Sequence, residues 1–241
     1  MKIHSEILVH WTLKELVNRE STEDVCRIYI KRLQDFYKTG IRFNIPDDPP
    51  DIVIGVGHRT ELPRRPMISF TELRLSEVDM HMKKYGRLGI GFRRDFLMTW
   101  GANPVFYLQS KDQGIVNTNL KIMPKLIERL KSNIEDIPAA KALEVFLTYF
   151  KPMDKPDGEP FDNYDEMEWR IVDVKYDDKE RPDRFKVYGN EVGFTFLPQD
   201  VLLLVFPDEH IRKAVLADSE LKKRFEEHMP MMVNANECTS F

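Results

Sequence analysis

The longest uninterrupted apolar run in the sequence is VLLLVF, residues 201–206. Six residues fall far short of the roughly 20 that a bilayer-spanning helix needs, but they match the length of a buried strand. The chain must therefore build its core from short segments. ILVHWT (7–12), MISFTEL (67–73), LGIGF (88–92) and NPVFYL (103–108) read as further strands, as do 166–176 and 184–189. Between them lie helical patterns. In TEDVCRIYIKRLQDFYKTG (22–40), Val25, Ile28, Leu33 and Phe36 keep helical spacing, with Thr22 as a cap and Gly40 as a stop. LSEVDMHMKKYG (75–86) opens on Ser76 and closes on Gly86, two helices are expected within 117–150, and 209–228 reads as one charged amphipathic helix. The prolines of IPDDPPDI (45–52) and the Pro/Asp/Gly composition of 151–165 mark loops. The mixed order predicts an α+β fold, one domain over 1–241 with a helical insertion at about 109–160.

Charge limits the partners. Lys and Arg total 36 against 40 Asp and Glu, a formal net charge of −4, which does not describe a general polyanion binder. Cys26 and Cys238 are far apart and fit no metal spacing, as expected of a reduced interior. The opening MKIHSEILVHW has no signal-peptide pattern, so a cytoplasmic protein without a membrane partner is expected.

FDNYDEMEWRIV (161–172) crowds Asp162, Asp165, Glu166 and Glu168 at the mouth of a strand. If 166–172 is extended, Met167, Trp169 and Ile171 face one way, while Glu166, Glu168 and Arg170 face the other. The carboxylates then belong either to a solvated face with a Glu–Arg pair or to the working edge of a cleft. His10 in the first strand and Tyr85 at a helix end have ordinary roles as rim and core residues. The run KKYGRLGIGFRR (83–94) is either a solvated basic face or a pyrophosphate holder, and as a nucleic-acid surface it completes no known motif. GVG (55–57) and GRLGIG (86–91) are too short for phosphate-loop fingerprints. The six histidines form no ligand spacing, so no metal is expected. Ser69 and Thr71 lack a nearby base for acyl transfer.

Three blocks carry a resemblance. ISFTELRLSEVDMHMKKYGRLGIGFRRDFLMTWGANPVFYL (68–108), YDEMEWRIV (164–172) and FLPQDVLLLVFPDEHIRKAV through MPMMVNANECTSF resemble the bacterial abortive-infection AbiGi family. That family is described as the antitoxin half of a two-gene phage-defence system. The resemblance therefore implies a binding module that neutralises a cognate toxin.

The order of parts also resembles, more distantly, the ADP-ribosyltransferase superfamily. That likeness implies a split mixed or antiparallel β core and NAD as substrate, with ADP-ribose passed to a protein or nucleic-acid acceptor. His10 would then hold the adenosine-side ribose and the nicotinamide amide. Tyr85 would stack on the nicotinamide, with Trp11, Ser69 and Thr71 completing the NAD site. Glu168 would stabilise the oxocarbenium-like state, and Glu166 would face the acceptor. This chain departs from the superfamily pattern in two ways. No Arg heads the first strand, and the Ser-Thr-Ser strand lacks its second Ser.

Overall fold

The computed structural model describes residues 5–45, 51–53, 59–61, 65–72, 74–108, 122–153, 162–174 and 181–238. In chain order the elements are β1 (Ile7–Thr12), α1 (Glu23–Thr39), β2 (Ile41–Arg42), β3 (Asp51–Val53), β4 (Arg59–Glu61) and β5 (Met67–Glu72). Then come α2 (Val78–Tyr85), β6 (Leu88–Arg93), α3 (Arg94–Thr99), β7 (Asn103–Pro104), β8 (Phe106–Leu108), α4 (Met123–Lys131), α5 (Ile137–Leu147) and β9 (Phe150–Pro152). The last are β10 (Glu168–Val172), β11 (Phe185–Tyr188), β12 (Glu191–Phe194), β13 (Val201–Phe206), α6 (Glu209–Ala217), α7 (Ser219–Glu227), β14 (Met231–Asn234) and α8 (Ala235–Cys238). The α+β expectation holds, with eight α-helices and both parallel and antiparallel pairs among the described residues. No described helix is long and apolar enough to cross a membrane. GVG at 55–57 lies outside the described residues.

The chain divides into two compact units, one of residues 1–42, 70–100 and 182–241, the other of 43–69 and 101–181. In the first, strands run in the order β14-β13-β6-β1, and the end of β5 pairs with β1. β13, the VLLLVF strand, has neighbours on both edges: β6 antiparallel and β14 parallel. Only Leu202 in it is not fully buried, as an all-apolar strand covered on both faces requires.

Alternation along β1 sorts this unit into two layers. Val9 and Trp11 pack with Val78, Met82, Leu203, Val205, Ala235 and Cys238, beneath α2 and α8. His10 points to the other face, its ring 6.1 Å from Phe36 of α1 and 5.9 Å from Phe70. The glycines of LGIGF make room for the first layer. A Cβ on Gly89 would stand 2.8 Å from Cζ3 of Trp11, and one on Gly91 would stand 2.9 Å from Leu203. Gly40 and Gly86 end α1 and α2 as expected. At Gly86 φ is +129°, and an added Cβ would lie 2.1 Å from the Thr12 carbonyl oxygen. A three-stranded sheet, β11-β12-β2, completes this unit.

Several boundaries differ from the sequence reading. The 209–228 helix is two helices, because Asp218 leaves the helical region (φ −68°, ψ 128°) and accepts a hydrogen bond from the Leu221 N–H at 3.0 Å. NPVFYL is split at Val105, whose N–H donates to the Glu168 carbonyl at 2.9 Å. The second unit holds the helix pair α4–α5 over a core of Ile127, Ala140, Leu147 and Phe150, the parallel pair β8–β9, the hairpin β3–β4, and β10 between β7 and the start of β5.

Candidate functional site

The acidic stretch at 161–172 resolves into two environments. Asp162 and Asp165 are exposed, while Glu166 and Glu168 are 1% and 5% exposed. Residues 163–166 form a 3-10 turn, and the strand starts only at Glu168. Between them Met167 adopts left-handed backbone angles (φ 45°, ψ 51°). A side chain there costs about 1–2 kcal/mol. The kink turns the two glutamates, two positions apart, onto one partner: Lys151 Nζ donates to Glu166 Oε2 and, at 2.8 Å, to Glu168 Oε2.

Glu168 is enclosed on every side. Its Oε1 accepts from Ser69 Oγ at 2.7 Å and from Arg170 Nε at 2.6 Å. Its Oε2 accepts from Lys151 and from Arg170 Nη2 at 3.2 Å. Four donors occupy the roughly four lone-pair sites of a carboxylate. Its backbone N–H donates to Tyr107 Oη at 2.8 Å, and Arg170 Nη1 donates to the Thr148 carbonyl.

Burial alone would raise the Glu168 pKa, but the charges and hydrogen bonds of Arg170 and Lys151 outweigh it and hold the group well below the usual carboxylate range. Burial would likewise lower Lys151 and Arg170. The facing carboxylates, Glu168 foremost, hold both above their ordinary values. Tyr107 is pushed up by burial and then by the Glu168 charge. All four groups keep their ordinary neutral-pH forms.

The expectation for this strand is thus corrected twice. The carboxylate–arginine face is buried instead of solvated, and Met167 belongs to the kink, not to the apolar side. Glu166, Glu168 and Ser69 do share one cluster. Lys151, Tyr107 and Thr148, which complete it, were not among the candidates, and nothing in their local sequence marks them.

The remaining candidates lie in the first unit. Trp11 Nε1 donates to Thr71 Oγ1 at 2.9 Å, and its ring stacks on His81 at 5.9 Å. Tyr85 packs against that same layer, 6.2 Å from His81. His10 is on the opposite face of the strand, between Phe36 and Phe70. The structure brings together Trp11, Thr71 and Tyr85, and it separates His10 from Tyr85. Among the described residues no group of three or more His, Cys, Asp or Glu is placed to hold a metal ion, and both cysteines are buried and free.

A family model described as "Putative abortive phage resistance protein AbiGi, antitoxin" matches residues 58–192, more than half of the 241. The chain belongs to the AbiGi family. The AbiGi match contains β10 and every member of its charge cluster, Ser69, Tyr107, Thr148, Lys151, Glu166, Glu168 and Arg170. No curated protein and no solved structure matches the chain.

Proposed function

We propose that this AbiGi chain is the antitoxin of an abortive-infection pair, silencing a cognate toxin by protein contact without chemistry on a substrate. The family match, whose description ends in "antitoxin", carries the reading. The state of Glu168 supports it. A glutamate that stabilises an oxocarbenium-like state must offer a lone pair to a ribose hydroxyl and a charge to the developing cation. Here the carboxylate oxygens are taken by Ser69, Lys151 and Arg170, and two cations already neutralise the charge of Glu168. Such a glutamate stabilises the fold. Transfer of ADP-ribose from NAD to a macromolecular acceptor would also require His10 and Tyr85 on one nicotinamide, and His10 meets Phe36 and Phe70 on one side of β1 while Tyr85, on α2, packs with the layer on the other.

Co-expression tests the proposal. The chain alone is expected to leave growth unaffected and to release no nicotinamide from NAD. Expressed beside the product of its adjacent gene, it is expected to rescue growth. Growth arrest by the chain alone, accompanied by nicotinamide release that Glu168→Gln abolishes, would establish the transferase in its place.

A further inference from the structure

Strand β14 and helix α8 are fixed to the first unit by little apolar surface. Of the eight residues from Met231 to Cys238, three are buried: Asn234, Ala235 and Cys238. Ala235 and Cys238 enter the layer of Val9, Trp11, Leu203 and Val205, with Val233 at its margin. Both side chains are small, so covering them contributes far less than the leucines and phenylalanine buried in β13.

Local structure adds little more. α8 is a single helical turn, too short to hold its own form. β14 ends the strand order and, among the described residues, pairs with β13 alone, whereas β13 has β6 on its other edge. Met231 in β14 is 53% exposed.

What remains is a polar latch. Asn234 Nδ2 donates to Glu209 Oε2 of α6 at 3.0 Å and to Glu237 Oε1 at 2.9 Å, and Cys238 Sγ donates to the Asn234 carbonyl at 3.5 Å. Only the first of these ties the segment to another element. Glu209 is itself shared with Arg212 at 2.5 Å. The latch also carries a cost, since Asn234 Oδ1 is buried and accepts no hydrogen bond among the described residues. Water satisfies that oxygen once the segment opens, which favours the open form.

We propose that β14–α8 is a strap, latched by Asn234 on Glu209, that opens while the rest of the first unit stays folded. Opening bares the β13 edge at Leu203–Phe206 and the layer that Ala235 and Cys238 cover. An unpaired edge is a template for a further strand, so the chain has a closed form and an open form that offers β13.

Two thiols test this in the full chain. Cys238 reports the strap and Cys26, in α1, reports the remainder; both are buried and free, and burial raises the pKa of each. Alkylation by iodoacetamide is followed site by site by mass spectrometry, each rate divided by that of the same thiol in the urea-unfolded chain. A thiol exposed only by global unfolding is protected roughly 10³–10⁸-fold. Cys238 is expected to react at least about tenfold faster than Cys26 below the unfolding transition. Its dependence on urea is expected to be shallower, because opening a strap exposes less surface. Hydrogen exchange is expected at the β14 amides ahead of those of β6. Glu209→Ala removes the latch and is expected to raise the ratio of the two alkylation rates at least about threefold. Equal rates with one urea dependence, β14 amides that exchange no sooner than those of β6, or a ratio that Glu209→Ala leaves unchanged would each overturn the strap.

Discussion

Replacing Glu168 by glutamine removes one negative charge from a cluster in which two cations are held by two carboxylates. The amide keeps the size of the side chain and one acceptor oxygen, but its NH2 group now faces donors. Arg170, 5% exposed, loses its carboxylate partner and at least one of the two acceptors of its Nε and Nη2, and Lys151 keeps Glu166 as its carboxylate. Removing one side of a buried pair costs roughly 3–5 kcal/mol, because the remaining charge stays desolvated without compensation. For a chain of this size each kcal/mol shifts the melting temperature by about 2–4 °C, so Glu168→Gln is expected to melt about 6–20 °C lower at neutral pH.

The pH dependence gives a second reading of the same quantity. The folded-state pKa of Glu168 is depressed, so its contribution is complete above the ordinary value of 4.5 and is lost as pH falls below it toward the folded value. Wild type therefore loses stability more steeply than Glu168→Gln below about pH 4.5, and the two curves converge in acid. The double variant Glu168→Met/Arg170→Met removes the desolvated ions together, leaves Lys151 with Glu166, and should recover most of the loss. Thermal melts followed by circular dichroism between pH 2.5 and 7.5 measure all three. A Glu168→Gln protein within about 1 kcal/mol of wild type, with a parallel pH profile, would refute the buried-cluster argument.

Two further outcomes follow from the packing of the first unit. Gly89→Ala places a methyl 2.8 Å from the Trp11 ring and should cost about 1–3 kcal/mol in denaturant unfolding, with a change in tryptophan fluorescence. Asp218→Ala deletes the cap received by the Leu221 N–H and should cost about 1 kcal/mol in the same measurement, whereas Asp218→Asn should cost little.

Much of the framework was legible in the chain, for reasons specific to each element. VLLLVF read as a strand, and ILVHWT carried its β-branched and aromatic residues over the whole of Ile7–Thr12. Thr22, Gly40 and Gly86 marked helix ends because each serves a local backbone requirement. β14 escaped notice, since MMVN has one β-branched residue and owes its extended form to pairing with β13. The break at Asp218 escaped because an acid inside a charged helix reads equally well as a surface residue.

The charge cluster marks where pattern reading stops. A period of two shows that Glu168 and Arg170 share a side, but it is silent on whether that side meets water, since buried and solvated Glu–Arg pairs have the same spacing. The partners that complete the cluster come from elsewhere. Lys151 arrives from β9 and Ser69 from β5, 17 and 99 positions away in the chain. Arg170, two positions along the same strand, and then Lys151 outweigh the effect of burial and hold the Glu168 carboxylate charged. The spacing of EMEWR supplies the arginine, but the lysine and the serine that close the cluster belong to other strands.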